Sequence, residues 1–226
     1  MQSVEEHSIL RYALTGDLRG LQEYLETVES LTVSDRESPK YLFKEKDELG
    51  RNAFFTACAL GRDDIVRELV KHGAEVNELT ARGYSPLHYS TLWGQLETVK
   101  TLVALGANMQ LKNFRGERAI DVASRYSKTD CAEYLNWAEA KQDLVSYISH
   151  VRDTVSDPDK VQGKLSKEDK NMCTSICTAK YDWVQTARDP STQEFIDQKR
   201  RLEDTLSTIL SKLAILSDAT AKTIKA

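Results

Sequence analysis

Cys173 and Cys177 stand four residues apart, which puts both thiols on one face of a helix with Tyr181 beyond them. Thiols so placed could open a zinc site, but tetrahedral zinc takes four ligands and His150 alone does not complete the set. The pair reads instead as small buried hydrophobes. Asp157, Asp159 and Glu168 have the spacing of acidic ligands in a calcium loop. Val161 occupies the fifth position of such a loop and Gln162 the sixth, where the sharp turn needs glycine, so that reading fails. Neither a G-x-x-x-x-G-K phosphate loop nor a G-x-S-x-G nucleophile turn occurs. The expectation is a non-enzymatic chain with no catalytic, metal-binding or cofactor-binding residue. What chemistry remains is that of binding, by large apolar and cationic side chains that need a scaffold to bring them together.

Composition says what kind of scaffold to expect. Of the 226 residues, 40% are hydrophobic and 29% charged, which is enough apolar material for a core. Ten glycines and four prolines are too few for a loop-dense all-β domain and favour an all-helical one. A net charge of −4 supplies no global cationic field for nucleic acid or an anionic membrane, so proteins are the expected partners. The acid excess is local, with 11 acidic and 6 basic side chains among residues 1–50. No basic patch followed by an apolar run opens the chain, and no stretch reaches the roughly 18 apolar residues that span a bilayer. With four cysteines and no disulfide framework in view, a reducing, cytoplasmic setting is expected.

An internal repeat organises the first half. Gly50, Gly83 and Gly116 are 33 residues apart, and Gly61 and Gly94, Gly73 and Gly106, and Leu69, Leu102 and Leu135 keep the same interval. The unit RGYSPLHYSTLWGQLETVKTLVALGANMQ, preceded by LGRNAFFTACALGRDDIVRELVKHGAEVN, resembles the ankyrin repeat, with its G-x-T-P-L-H opening and its closing G-A. Glycine suits the turn before each first helix, and Pro86 suits a first helical turn, where its missing N–H is not needed. Val66, Leu69 and Val70, then Val99, Leu102 and Val103, recur at helical spacing and are expected to pack between repeats. The resemblance implies that His88 is a structural hydrogen-bonder. The third unit departs from the pattern: Arg118-Ala119-Ile120-Asp121 replaces T-P-L-H, Ser127 stands where glycine is usual, and the closing G-A is missing. Ser8–Leu25 resembles a degenerate first unit, with Glu26–Lys46 as an insertion anchored by Tyr41-Leu42-Phe43.

A second module follows. Glu117 to Asp157 contains neither glycine nor proline, and Tyr134, Trp137, Leu144, Ile148, Val151 and Val155 keep helical spacing, so a helix of roughly 39 Å is predicted over about 130–155. Ser166 with Asp169, and Ser191 with Glu194, read as capping boxes opening two more helices. The third has Phe195, Leu202, Leu206, Ile209, Leu213 and Leu216 near heptad spacing, with Lys199 at the position that breaks it. The segment from Asp143 resembles the C-terminal helical lid of the seventy-kilodalton heat-shock chaperones, in its S-Y helix, its G-K-L-S turn and its C…W-V helix. There is no room here for that family's ATPase or its β-sandwich.

The expected fold is all-α: a short ankyrin-repeat solenoid followed by a three-helix bundle resembling the chaperone lid. The expected domains are residues 1–46 (capping repeat plus insertion), 47–138 (repeats 47–79, 80–111 and 112–138), 139–216 (bundle) and 217–226 (tail). Leu60, Trp93 and Tyr126 precede the glycine-like position of each unit, so the period lines them up on the concave face beside Tyr89 and Leu92. Lys112, Arg115, Arg118, Arg125 and Lys128, set against Glu117 and Asp121, make a basic patch in the last finger, suited to an acidic protein tail or else simply a solvated charged face. The chain is expected to be monomeric alone and to serve as an adaptor or scaffold in a cytoskeletal assembly such as a cilium, axoneme or midbody, with microtubule-associated partners. The alternative is a chaperone-linked factor whose lid-like bundle contacts a chaperone or an unfolded client.

Overall fold

A computed structural model describes residues 9–31, 43, 45–161 and 163–223, which form helices joined by turns and loops with no strand among them. The chain divides into two compact units, Met1–Leu135 and Asn136–Ala226. In the first, α1 (Ile9–Thr15) and α2 (Leu18–Leu31) are followed by the pairs α3 (Ala53–Ala59) with α4 (Asp63–Lys71) and α5 (Pro86–Leu92) with α6 (Leu96–Ala104). Next come α7 (Ala119–Arg125) and the start of α8 (Thr129–Ser156). The second unit holds the rest of α8, a single turn α9 (Pro158–Val161), α10 (Lys167–Thr186) and α11 (Thr192–Thr223). The all-α class expected from composition is the class observed.

The repeats are built from turns that bond the same way every 33 residues. Asp47, Thr80 and Asn113 open three finger turns, whose carbonyls accept from the N–H groups of Gly50, Gly83 and Gly116 at 2.9, 2.9 and 2.8 Å. Their side chains pin the same turns: Asp47 Oδ1 accepts from Leu49 and Arg51, Thr80 Oγ1 from Tyr84, and Asn113 Oδ1 from Arg115 and Glu117. Neighbouring fingers join through Ala81 N–H to Leu49 O (3.1 Å) and Phe114 N–H to Arg82 O (3.0 Å). The turn between the helices of each pair needs a positive φ, which Gly61 and Gly94 adopt at 72° and 73°. Ser127 takes that conformation at φ 53° without glycine's freedom, so the third unit keeps the fold at the cost of local strain.

His88 holds two elements together. The Ser85 N–H donates to its Nδ1 at 3.1 Å, which leaves Nε2–H to donate to the Glu117 carbonyl at 3.0 Å in the next finger. Burial keeps the imidazole below its ordinary pKa. Between repeats, Val66, Leu69, Val99 and Leu102 are buried as expected, but Val70 and Val103 are only half-buried. The remaining layer comes instead from Ile65, Thr98 and Cys131, again 33 apart and all buried. The N-terminal segment also differs from expectation: α2 runs on to Leu31, so helix continues into the stretch read as an insertion after Leu25. Phe43 is buried, while Tyr41 and Leu42 lie outside the described residues.

In the second unit the capping boxes form as expected. Ser166 Oγ accepts from Asp169 N–H at 3.0 Å and Asp169 Oδ2 from Ser166 N–H at 3.1 Å, and Ser191 and Glu194 repeat the exchange at 3.2 and 2.8 Å. Phe195 is fully buried with the rings of Trp137 and Trp183 edge-on at 5.7 and 5.6 Å. Trp137, which a boundary at 138 leaves among the repeats, thus packs in the bundle, and its Nε1–H donates to Pro190 O at 2.8 Å. Lys199, where the heptad breaks, reaches Asp143 on α8 at 3.3 Å. Helix α11 continues to Thr223, past the expected end at 216.

Candidate protein-binding face

Leu60, Trp93 and Tyr126 are the C-cap residues of α3, α5 and α7, with nearly the same φ of −91°, −91° and −97°. Each donates its N–H to the carbonyl four residues back, at 3.0, 3.2 and 3.0 Å. The cap thus recurs at the same place in each unit, and the three side chains are 44%, 60% and 50% exposed. The residue after each turn glycine braces the row: Gln95 Nε2–H donates to Ala59 O at 3.1 Å, and an Arg62 guanidinium N–H to Leu14 O at 3.4 Å.

A groove of about 730 Å³ runs beside this row. Leu60, Tyr89 and Trp93 line one side and Ile9, Leu10 and Leu14 of α1 another, with Arg51 and Asp47 at the rim. Leu10 and Leu14 are exposed, and sequence reasoning passed over them; their four-residue spacing in the apolar-rich run Ile9–Leu14 was the available signal. Tyr89 is half-buried, its ring edge-on to Phe55 at 5.4 Å and 5.9 Å from Tyr84. Burial pushes its phenol pKa up. Leu92 is half-buried outside the groove, and Tyr126 is outside it too. The rim charges answer one another: Arg51 holds Asp47 at 2.6 Å and keeps its carboxyl below the ordinary range, and Lys46 meets Glu78 at 2.6 Å. The groove therefore offers apolar surface rather than net charge.

The basic patch of the last finger is largely spoken for. Arg118 pairs with Asp121 at 3.5 Å, Arg125 pairs with Glu117, and the Lys128 stem lies against Gly94. Arg115 lies over the exposed ring of Phe114, 5.4 Å from its centroid, a partner that charge patterning did not reveal. Cys173 and Cys177 are buried in the bundle, where desolvation raises both thiol pKa values. Among the described residues no cluster of three or more His, Cys, Asp or Glu is arranged to hold a metal, and no helix is long and apolar enough to cross a membrane.

The model of the ankyrin repeat family, in three copies, matches residues 19–113. Ankyrin repeat domain-containing protein 45 of Danio rerio is 56% identical over 226 residues, the whole of both chains. The human protein of that name is 44% identical over 208 residues, 92% of this chain and 77% of its own length. The Mus musculus protein is 41% identical over 209 residues, 92% of this chain and 83% of its own. The chain belongs to the ankyrin repeat domain-containing protein 45 family. Ankyrin repeats are protein–protein interaction modules, so the family assigns this chain a protein-binding role. Leu60, Tyr89, Leu92 and Trp93 fall within the matched repeats; Arg115, Arg118 and Tyr126 fall in the atypical third unit beyond them.

Proposed function

We propose that this member of the family is a non-enzymatic adaptor or scaffold whose Leu60–Trp93–Tyr126 row, with Tyr89 and Leu92 beside it, docks an apolar segment of a partner protein. The observation that carries this reading is Trp93. It is 60% exposed at a helix end where the repeat core makes no use of it. A row of large apolar side chains beside a groove is the surface that receives a partner's anchor residues. Leu10 and Leu14 supply the facing wall, and the paired rim charges leave apolar burial as the driving force. In the bundle, exposed Met172, Tyr181 and Ile196 support a second docking face, which is what a scaffold in a cytoskeletal assembly such as a cilium, axoneme or midbody needs.

The test uses the intact protein and its Trp93→Ala variant as parallel baits, with captured proteins quantified and the lead candidate rebuilt from purified components. A buried anchor is typically worth about 2 kcal/mol or more, so affinity should fall roughly thirtyfold. Equal affinity for a stably folded variant would overturn the reading. Release of the captured protein by ATP-driven chaperone cycling would move the account to a chaperone-linked factor.

A further inference from the structure

Phe114 is 57% exposed at the tip of the third finger. The backbone bond from its N–H to Arg82 O sets it beside the second finger. There the Arg82 guanidinium lies 5.8 Å from the ring centroid and the Arg115 guanidinium 5.4 Å, while Tyr84 packs on the ring at 6.1 Å. Arg82 and Arg115 occupy the same position of successive repeats, and both are exposed. Neither has a carboxylate partner among the described residues, whereas Arg118 and Arg125 are each matched to one. Exposed Lys112 adds a third cation. In the first finger that position is Leu49, preceded by Asp47 and Glu48, which confines the cationic edge to fingers two and three.

We infer that this edge docks an acidic segment of a partner protein, with Arg82 and Arg115 receiving its carboxylates and Phe114 an apolar side chain between them. A guanidinium resting on an aromatic ring keeps its in-plane N–H groups available, and those match a carboxylate two at a time. The backbone under both arginines is already held, by Thr80 and Asn113 at their turns and by the joint between the fingers, so little ordering is required on binding. The charge pattern selects the class of partner. Three cations flanked by Glu117 and Asp121, on a chain of net charge −4, are too few for the phosphate neutralisation that drives nucleic-acid binding. This inference shares no residue with the groove and stands or falls apart from it.

The experiment measures fluorescence anisotropy of a labelled Glu-rich peptide with a central Phe on the full chain, against the same peptide with Gln at every Glu. The double variant Arg82→Gln with Arg115→Gln should weaken binding about tenfold or more, and added salt should weaken the wild type likewise. Arg200→Gln with Arg201→Gln, the same charge change on α11, should leave binding intact. Arg82→Lys with Arg115→Lys keeps the charge and loses the planar fork, so it should fall between. Thermal melts by circular dichroism verify that each variant is folded. Unchanged binding in both Arg82/Arg115 variants would overturn the inference, as would equal binding of the Gln peptide. So would tighter binding of duplex DNA or of phosphatidylserine vesicles than of the Glu peptide.

Discussion

The two units place their tryptophans in opposite settings. In the bundle, the tryptophan rings are packed: Trp137 and Trp183 stand edge-on to Phe195, which is fully buried. In the repeats, Phe54 and Phe55 of α3 are buried, but Trp93, Phe114 and Tyr126 are half or more exposed, and the layers between repeats are filled by Val, Leu, Ile, Thr and Cys. A bundle of long helices must fill a thick core, and aromatic rings supply bulk there. The repeats stack through narrow side chains at those layers, which leaves an aromatic residue at a helix end or a finger tip on the surface. A tryptophan therefore marks core packing in one unit and an open surface in the other.

Phe195→Ala is the strongest way to break that contrast. It should cost about 3–5 kcal/mol, read as a lowered unfolding midpoint for the bundle. His88→Ala should cost about 2–3 kcal/mol, because it strands the Ser85 N–H and the Glu117 carbonyl, and the loss should appear in the repeat unit's amide protection. The same residue gives a pH dependence. The folded chain holds this imidazole neutral below its ordinary 6.5, so falling pH protonates the unfolded chain first. The stability it contributes is complete above about 6.5 and is lost on acidification through the folded pKa. Denaturant midpoints measured from neutral to mildly acidic pH should fall more steeply for wild type than for His88→Ala.

Two substitutions sharpen the repeat side of the contrast by improving it. Thr98 Oγ1 is buried with no hydrogen-bond partner, at a position where the flanking repeats carry Ile65 and Cys131. Thr98→Val should stabilise by about 1 kcal/mol in thermal or urea unfolding. Ser127→Gly relieves a left-handed backbone that the preceding repeats give to glycine, and should gain up to about 1 kcal/mol. The smallest effect belongs to Trp93→Ala, whose stability should change by no more than about 0.5 kcal/mol.

The row Leu60–Trp93–Tyr126 was legible because periodicity alone determines which positions share a direction. The same period foretold the helix pairs, and the capping boxes foretold where α10 and α11 begin. Other features depend on contacts across the chain that no local pattern encodes. Trp137 belongs to the bundle through a carbonyl 53 residues away. Phe114 meets Arg82 only because one finger's backbone bonds to the next. Asp121 and Glu117 were visible beside the cationic patch in the sequence, but not which cation each would take; Asp121 takes Arg118 and Glu117 takes Arg125. Thr98 in place of an apolar residue could have been noticed at the same period, since Ile65 and Cys131 mark the position.

The most direct test of an outward-facing recognition row places a photo-crosslinking amino acid at Trp93 of the full chain and irradiates it in cells. The account predicts adducts to a discrete partner protein, lost when Leu60 and Tyr126 are also changed to serine. Adducts confined to the protein's own chain would contradict it, since the aromatic side chain would then be covered by its own fold.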